Sequence, residues 1–295
     1  MLDRLVRSTV QSRLVPPIVK AGTVFFAKRA WKGFYPGLVS HDVPQLGRMK
    51  LAPWEFIGSR LFFYGVWEPS ITSFVRQLDL DGKVAIDIGA NIGYYSLLLA
   101  ARVGPRGRVA AVEPSPTIRK ELEENIRLND CRNIQVIACG ISNVNTLKDF
   151  YLDTTGNAGK SRFAGDDCAD GVLEGQVQLR RLIDVVSQAD LQRTGLIKVD
   201  VEGMEVEVLG HLVEIADHLP NDIVILSEIR VDGEGDPILE LVGRLQARGF
   251  VMYSLFNDYR AMAYASGTVR KPTRIDQLGP GQHDIAFARG KYLPS

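Results

Sequence analysis

The sequence predicts an α/β fold in which a largely parallel β-sheet is covered by helices on both faces. Two observations carry this prediction. Short β-branched runs alternate with segments of helical period from residue 84 onward, and the first of these runs ends in a glycine-rich turn. Strands joined through helices pair in parallel and are buried on both faces. We therefore expect a ligand site beyond the carboxyl ends of the strands.

The turn after the first strand is the most informative segment. The apolar run Val84–Ile88 is followed by Gly89 and Gly93 before helical spacing resumes, so the backbone here can approach a ligand at a helix N-terminus. The dinucleotide pattern Gly-x-Gly-x-x-Gly needs a glycine where the chain has Asn91, which disfavours a nicotinamide cofactor. Asp87, two residues before the first glycine, instead gives the turn the pattern that resembles S-adenosylmethionine-dependent methyltransferases.

The second strand ends in an acid. The run Arg108–Val112 leads into Glu113, twenty residues beyond Gly93. A carboxylate at this place can accept hydrogen bonds from both hydroxyls of a ribose. The glycine turn and Glu113, separated by one helix, together predict a site for a nucleoside-containing cofactor.

The alternation of short apolar runs with segments of helical spacing predicts seven strands and the helices around them. The strands are expected over residues 84–88, 108–112, 134–138, 196–200, 223–228, 250–255 and around 284–288. The helices are expected over residues 70–78, 92–102, 115–128, 181–190, 203–216 and 236–248. Residues 142–180 interrupt this order. Their glycines, Asp and Thr predict an insertion of short irregular strands and an exposed loop that can cover the site.

Residues 1–55 are expected to form a basic, amphipathic helical arm, with the catalytic domain over residues 56–295. The first fifty residues hold nine Lys and Arg against Asp3 and Asp42. Packing on its own domain or on a sister subunit is one interpretation of the arm. A peripheral contact with a membrane surface is a second, and a transit peptide is a third.

Composition limits the partners and the compartment. The formal net charge is zero and the pI is near 6.9, so no nucleic-acid partner is expected. Cys131, Cys139 and Cys168 fit neither a paired disulfide framework nor a Cys-x-x-Cys metal site, which favours a reducing compartment. With no apolar stretch long enough to span a bilayer, a cytoplasmic protein is expected, with membrane attachment at most peripheral.

Four segments together resemble the FkbM family of S-adenosylmethionine-dependent methyltransferases over roughly residues 60–290. They are Gly65–Pro69, Asp87–Ser96, Glu113–Ser115 and, most specifically, Ile197–Glu205. The resemblance implies a class I methyltransferase (Rossmann-like) fold whose seventh strand inserts antiparallel, with S-adenosylmethionine as cofactor. It also implies O-methylation of a hydroxyl on a sugar or glycan, a glycolipid or a polyketide-type natural product.

The resemblance assigns roles to the cofactor residues. Amides around Asn91 and Gly93 suit the methionine carboxylate, Glu113 suits the ribose, and Asp87 either anchors the loop or receives the methionine ammonium through water. In class I enzymes adenine lies at the end of the third strand, where small residues leave room for a flat base. The further cofactor contacts expected are Glu68, Gly89, Tyr94, Pro114, Gly140 and Asp200.

Acidic residues past the fourth strand are the candidates for catalysis. Asp200 is expected to face cofactor and acceptor, and Glu202 to bind or deprotonate the acceptor hydroxyl. Glu228, at the end of the fifth strand, is a second candidate on the same rim, whereas Glu205 is interpreted as a surface acid. No further Asp and Asn stand at convincing positions for a divalent metal, so none is expected.

Two alternatives from other classes remain open on the sequence alone. One is a nicotinamide-dependent oxidoreductase, and the other is a non-catalytic methyltransferase-like interaction module. His211 and His283 are interpreted as surface or capping residues rather than bases.

Overall fold

A computed structural model describes residues 2–12, 14–34, 37–153, 161–163 and 171–290. Two parts of the predicted insertion, residues 154–160 and 164–170, lie outside these ranges, and Cys168 lies there with them.

The described part of the chain forms the following helices and strands, each numbered in chain order. The helices are α1 (Leu2–Gln11), α2 (Pro17–Phe34), α3 (Phe56–Tyr64), α4 (Pro69–Gln77), α5 (Tyr94–Val103), α6 (Pro116–Leu128), α7 (Leu182–Val185), α8 (Gln188–Leu191), α9 (Glu205–Glu214), α10 (Pro237–Ala247) and α11 (Ala261–Ser266), with a 3-10 turn at Ala216–His218. The strands are β1 (Val39–Val43), β2 (Gly47–Leu51), β3 (Val84–Ile88), β4 (Arg108–Val112), β5 (Ile134–Ile137), β6 (Gly140–Ile141), β7 (Thr146–Asp153), β8 (Arg162–Phe163), β9 (Gly171–Arg180), β10 (Thr194–Val199), β11 (Val224–Val231), β12 (Phe250–Leu255), β13 (Thr273–Ile275) and β14 (Gly281–Arg289).

The central sheet has the strand order β5-β4-β3-β10-β11-β14-β12-β13. From β5 to β11 the neighbours pair in parallel, and β14 inserts antiparallel between β11 and β12. The predicted α/β fold and its antiparallel last strand are confirmed. The predicted number of seven strands is one too few, because β13 adds a short antiparallel edge to β12. Its three residues carry too little hydrophobic pattern to show in the sequence.

The middle strands of the sheet are buried on both faces. Every residue of β3 and of β10 is buried, and two hydrophobic clusters cover the opposite faces of the sheet. Asp87 of β3 and Lys198 of β10 carry ionisable side chains, although these residues are only 0% and 5% exposed. Because charged groups are seldom fully buried without partners, these two residues point to the site.

The insertion is more regular than predicted. Strands β7 and β9 pair antiparallel over most of their length, with β8 and β6 on the outer edges. The prediction of short irregular strands was therefore wrong for β7 and β9. A register shift between Phe150 and Tyr151, next to Gly175, hides their alternation in the sequence.

The N-terminal arm is only partly helical. Helices α1 and α2 are followed by the hairpin β1-β2, so residues 39–51 were wrongly predicted as part of a helical arm. Burial there alternates with period two, as a strand requires, with Val43 and Leu51 facing inward. Asn125 of α6 accepts the N–H of Lys50 and donates to the carbonyl of Ile92, which ties the hairpin to the glycine turn. Among the described residues, no helix combines the length and apolarity that crossing a membrane requires.

All six predicted helices are present with bounds shifted by one or two residues or split, and two of the differences have a clear local cause. The segment predicted as one helix over residues 181–190 is split into α7 and α8, because the Ser187 hydroxyl accepts the N–H of Asp190 and starts a new helix. Helix α9 begins at Glu205 rather than at residue 203, since Gly203 has a φ of +77° and interrupts the helical backbone.

Candidate active site

A cavity of about 660 Å³ opens beyond the carboxyl ends of β3, β10 and β11. This volume lies in the range of roughly 300–1,000 Å³ that ligand pockets occupy. Its charged lining is mostly acidic, and consists of Glu68, Asp87, Asp200, Glu202, Glu205 and Glu228 against Lys198 and Arg230. The cavity therefore carries an excess of negative charge that suits a cationic ligand.

The glycine turn forms one wall of this cavity. Gly89 has a φ of +81°, and a Cβ there would lie 1.8 Å from the carbonyl oxygen of Asp200. Only glycine allows β3 and β10 to approach so closely at their ends. The N–H of Asn91 donates to Glu113 Oε2 at 2.9 Å, and the N–H of Gly93 donates to the carbonyl of Ala90. These two amides, predicted to bind a carboxylate, are thus already engaged within the chain.

Glu113 is held by the turn and by its own strand end. Its Oε1 and Oε2 accept the N–H groups of Ser115 and Asn91, each at 2.9 Å, and the side chain is 4% exposed. Burial raises the pKa of Glu113 to about 7, while the two amide donors act in the opposite direction. Each carboxylate oxygen keeps a second lone pair for a ligand hydroxyl. Glu113 and Pro114 line a smaller cavity of about 50 Å³ beside the first.

The space predicted for a base at Gly140 is filled by the chain itself. A Cβ at Gly140 would lie 2.6 Å from Cζ of Phe163 and 2.7 Å from Cδ2 of Leu179. Phe163 lies in β8 and packs edge-on against Phe150, and both rings line the smaller cavity. The sequence showed that Gly140 is small, but it did not show that the insertion supplies the ring that covers it.

Asp87 anchors the start of α5 and also keeps a free acceptor. Its Oδ2 accepts the hydroxyl of Ser96 at 2.6 Å, which satisfies the anchoring role. Its Oδ1 is buried and has no hydrogen-bond donor among the described residues. Burial raises the pKa of Asp87, and nearby Lys198 opposes that shift. An orphaned carboxylate oxygen on the cavity wall is the kind of acceptor that a ligand ammonium satisfies.

Glu68 is the most heavily bonded acid of the site. It has a left-handed backbone, with φ +44°, and it does not cap α4 with its side chain. Instead it accepts hydrogen bonds from the hydroxyls of Tyr95 and Tyr259, each at 2.7 Å, and from the amide of Asn257 at 3.1 Å. Burial, followed by the charge of Asp200, raises the pKa of Glu68. The sequence placed Glu68 near the cofactor but gave no indication of these partners.

Lys198 is one of the site residues that the sequence did not predict. Its Nζ lies 2.8 Å from Asp200 Oδ2 and 4.5 Å from the centre of the Tyr95 ring. The acids Asp200, Asp87 and Glu68 raise its pKa against the opposing effect of burial, so it stays charged. The signal in the sequence was a lysine inside an otherwise apolar strand.

Glu228 forms the rim of the cavity together with residues from the end of the chain. The hydroxyl of Tyr259 lies 3.0 Å from Glu228 Oε2 and 2.7 Å from Glu68 Oε1. A phenol has one proton and cannot donate fully to two carboxylates. Burial, then Asp200 and Glu68, raise the pKa of Glu228 to about 7. Gln282 also donates to Glu228.

Asp284 completes a group of three acids at this rim. One carboxylate oxygen from each of Glu68, Glu228 and Asp284 lies within 4.8 Å of the others, a spacing that a metal ion would also accept. Burial, followed by Glu68 and Glu228, raises the pKa of Asp284 well above its usual range. The donors Tyr259, Asn257 and Gln282 thus already moderate the repulsion within the group. The absence of a metal stays a prediction.

Of the remaining residues considered in the sequence, three line the cavity and one lies in the core. Tyr94 lines the cavity, and its hydroxyl lies 3.1 Å from that of Thr72. Glu202 is exposed at the mouth, and Glu205, predicted to be a surface acid, lines the cavity as well. His211 was interpreted as a surface or capping residue, and only the surface location is wrong, because it bonds Leu182, the first residue of α7. It is 1% exposed and its Nε2 accepts the N–H of Leu182, which is a structural role in the core.

The fold and the site define an α/β protein with an acidic cavity at the ends of its parallel strands. Residues 87–252 match the family described as the methyltransferase FkbM domain, which covers more than half of the chain. The protein belongs to the FkbM methyltransferase family. This membership decides against the nicotinamide-dependent alternative.

Two curated relatives and one solved structure illustrate the similarity. The chain is 31% identical over 167 residues to Methyltransferase sdnD of Sordaria araneosa, which covers 48% of this chain and 64% of that protein. It is 28% identical over 171 residues to Methyltransferase 1 of Beauveria bassiana, covering 52% of this chain and 68% of that one. The chain thus spans less than two thirds of the first relative. The structure of methyltransferase FkbM from Methylobacillus flagellatus KT aligns with a TM-score of 0.44 at 16% identity, covering 72% of this chain and 45% of that chain.

The cofactor of this protein is S-adenosylmethionine, as its family implies. The residues of the cavity fit such a molecule, which carries a sulfonium, an ammonium and a ribose. Asp87 offers an unpartnered buried oxygen, Glu113 offers carboxylate lone pairs, and the acidic lining suits positive charge.

Proposed function

We propose that this methyltransferase acts on oxygen, and that its acceptor is a hydroxyl on a sugar or glycan, a glycolipid or a polyketide-type natural product. The observation that carries the proposal is Glu228, a carboxyl with a pKa of about 7 on the rim of the 660 Å³ cavity. Methylation of a hydroxyl requires removal of its proton, and a base whose pKa lies near the working pH does this best.

In this proposal the donor occupies both cavities. Asp87 and Tyr94 would contact the methionine part in the large cavity, while Glu113 and Pro114 would contact the ribose in the small one. When bound, S-adenosylmethionine supplies an electrophilic methyl group on a positively charged sulfur. The small cavity is too narrow for a nucleoside, so the Phe163 ring over Gly140 must move aside when the donor binds.

The acidic rim would position and deprotonate the acceptor. Lys198 fixes one oxygen of Asp200 through the 2.8 Å ion pair, and 41% of the Asp200 side chain stays exposed for an acceptor hydroxyl. Glu202, exposed at the mouth, would bind further hydroxyls of the acceptor. Glu228 would take the proton, and the Tyr259 hydroxyl would then remain free to donate to Glu68.

The test is methyl transfer from S-adenosylmethionine labelled with ¹³C in its methyl group to panels of monosaccharides, glycolipids and polyketides. We expect the new carbon signal at the chemical shift of a methoxy group. A methyl group on nitrogen or carbon would contradict the proposal. Binding of S-adenosylhomocysteine without transfer to any panel member would favour the non-catalytic alternative.

Glu228→Gln isolates the proposed base, with Glu234→Gln as the matched control because Glu234 is exposed and away from the cavity. We expect Glu228→Gln to lower kcat by about 10²–10⁴-fold and the control to leave it unchanged. Equal kcat values for the wild type, Glu228→Gln and Glu234→Gln would show that Glu228 is not the base.

A further inference from the structure

Helix α2 exposes an apolar stripe that the methyltransferase domain does not cover. The exposed fractions are 71% for Ile18, 49% for Val19, 59% for Phe25 and 72% for Phe26. Their spacing of i, i+1, i+7 and i+8 places them on one side of the helix. Such contiguous apolar surface on a soluble domain marks an interaction site.

The opposite side of α2 is already used for packing. Val24 and Ala27 are 2% and 7% exposed and belong to the hydrophobic cluster of the domain, and α2 contacts α1 and α11. The stripe is therefore not the inward face of a detached helix. It is the outer face of a helix that the domain holds in place.

The charge of the same segment indicates what lies against the stripe. Residues 1–34 contain seven Lys and Arg and one Asp, a formal charge of +6, and the rest of the chain carries −6 because the whole is neutral. A helix with aromatic and aliphatic residues on one side in a strongly basic segment is typical of helices that lie in the interface of an anionic bilayer. A symmetric dimer through the stripe would bring two segments of +6 together, which disfavours a second copy.

We propose that α2 binds the surface of anionic phospholipid membranes, with Ile18, Val19, Phe25 and Phe26 inserted among the lipids and the basic segment held by their headgroups. The T-shaped pair of Phe25 and Phe26, with ring centres 5.6 Å apart, supplies most of the apolar area. This attachment is independent of the methyl acceptor.

The experiment is cosedimentation of the full chain with vesicles of phosphatidylcholine alone and of phosphatidylcholine mixed with phosphatidylglycerol. We expect binding to the mixed vesicles, weakening with added salt because the attraction is screened. The variant Phe25→Ser/Phe26→Ser should bind them at least about tenfold more weakly. Leu147→Ser/Leu173→Ser, which removes two residues of 57% and 53% exposure from the insertion, is the control and should bind like the wild type.

Equal binding to both vesicle types, or no binding to either, would overturn the proposal. So would a phenylalanine variant that binds like the control. Light scattering without lipid tests whether a second copy of the chain covers the stripe instead. A wild-type dimer that becomes a monomer in the phenylalanine variant would assign the stripe to a second copy and would also overturn the membrane proposal.

Discussion

Lys198 Nζ donates to Asp200 Oδ2 at 2.8 Å, and this pair joins the buried end of β10 to the open cavity. The lysine is 5% exposed, whereas 41% of the aspartate side chain is accessible. Lys198 thus compensates the buried acids behind it and orients the carboxylate in front of it. The site depends on this single buried cation among the described residues of its wall.

Replacement of Lys198 by Met removes that compensation. Asp87 and Glu68 would then be buried without their nearest positive charge, and we expect the free energy of unfolding to fall by about 3 kcal/mol or more. Lys83→Met is the control, since Lys83 forms a 2.6 Å ion pair with Asp222, whose side chain is 60% exposed, and such pairs contribute about 0–1 kcal/mol. Urea denaturation at neutral pH measures both. Similar losses in the two variants would contradict the role of Lys198.

Glu113 contributes to the pH dependence of stability, as does Glu228, whose pKa is also raised to about 7. The pKa of Glu113 in the folded protein is about 7, against an ordinary value of 4.5, so the folded state binds the proton more tightly than the unfolded chain. The stabilisation by this proton is complete below about pH 4.5 and is lost as the pH rises through 7, an effect on the order of 3 kcal/mol. Thermal unfolding of the cofactor-free protein should show this decline.

Glu113→Gln should remove the part of the decline that Glu113 causes, because an amide does not titrate, and should leave the part that Glu228 causes. The same variant leaves one of the two amide donors, Asn91 or Ser115, without its oxygen, and we expect a loss of about 1–2 kcal/mol at pH 5. A variant whose profile keeps the wild-type slope would show that another group is responsible.

The activity should also depend on pH through Glu228. Since only the ionised carboxylate accepts a proton, kcat/KM should rise with pH and level off above an apparent pKa near 7. Tyr259→Phe removes the hydroxyl that bonds both Glu228 and Glu68, and it should shift this apparent pKa upward because the ionised form loses a donor. A profile that is flat from pH 5 to 9 would contradict Glu228 as base.

A substitution at Gly89 tests whether the close approach of β3 and β10 requires glycine. Gly89→Ala places a Cβ against the backbone oxygen of Asp200 at a positive φ, and we expect a loss of at least about 2 kcal/mol together with weaker donor binding. Gly243→Ala in α10 is the control, because no atom lies within 4 Å of its added Cβ, and it should gain about 0.5–1 kcal/mol. Calorimetric unfolding of both variants decides the matter. A neutral Gly89→Ala would show that the turn can relax.

Much of the fold could be predicted from the sequence because it rests on local periodicity. Strands β3, β4 and β12 have the predicted bounds, and Gly89 and Glu113 lie at the ends of strands as expected. Other features depend on contacts between distant segments. Tyr259 and Asp284 reach Glu68 across some two hundred residues, and Phe163 reaches Gly140 from the insertion. No spacing within a short window encodes such contacts.

The role of Lys198 could not be predicted from the hydrophobic pattern of its strand. A strand buried on both faces is expected to be apolar throughout, and the lysine within Leu196–Val199 looks like an interruption rather than a ligand-site residue. Its meaning emerges only when Asp87, from the neighbouring strand, is placed beside it.

We propose that the acidic cavity and the Glu113 pocket together bind the methyl donor. A crystal structure with S-adenosylhomocysteine tests it most directly. We expect the ribose hydroxyls on Glu113, the amino group on Asp87, the sulfur facing Asp200 and Glu228, and Phe163 displaced from Gly140. Electron density for the nucleoside away from Glu113, or a bound ligand that leaves Phe163 over Gly140 and the large cavity empty, would contradict the account.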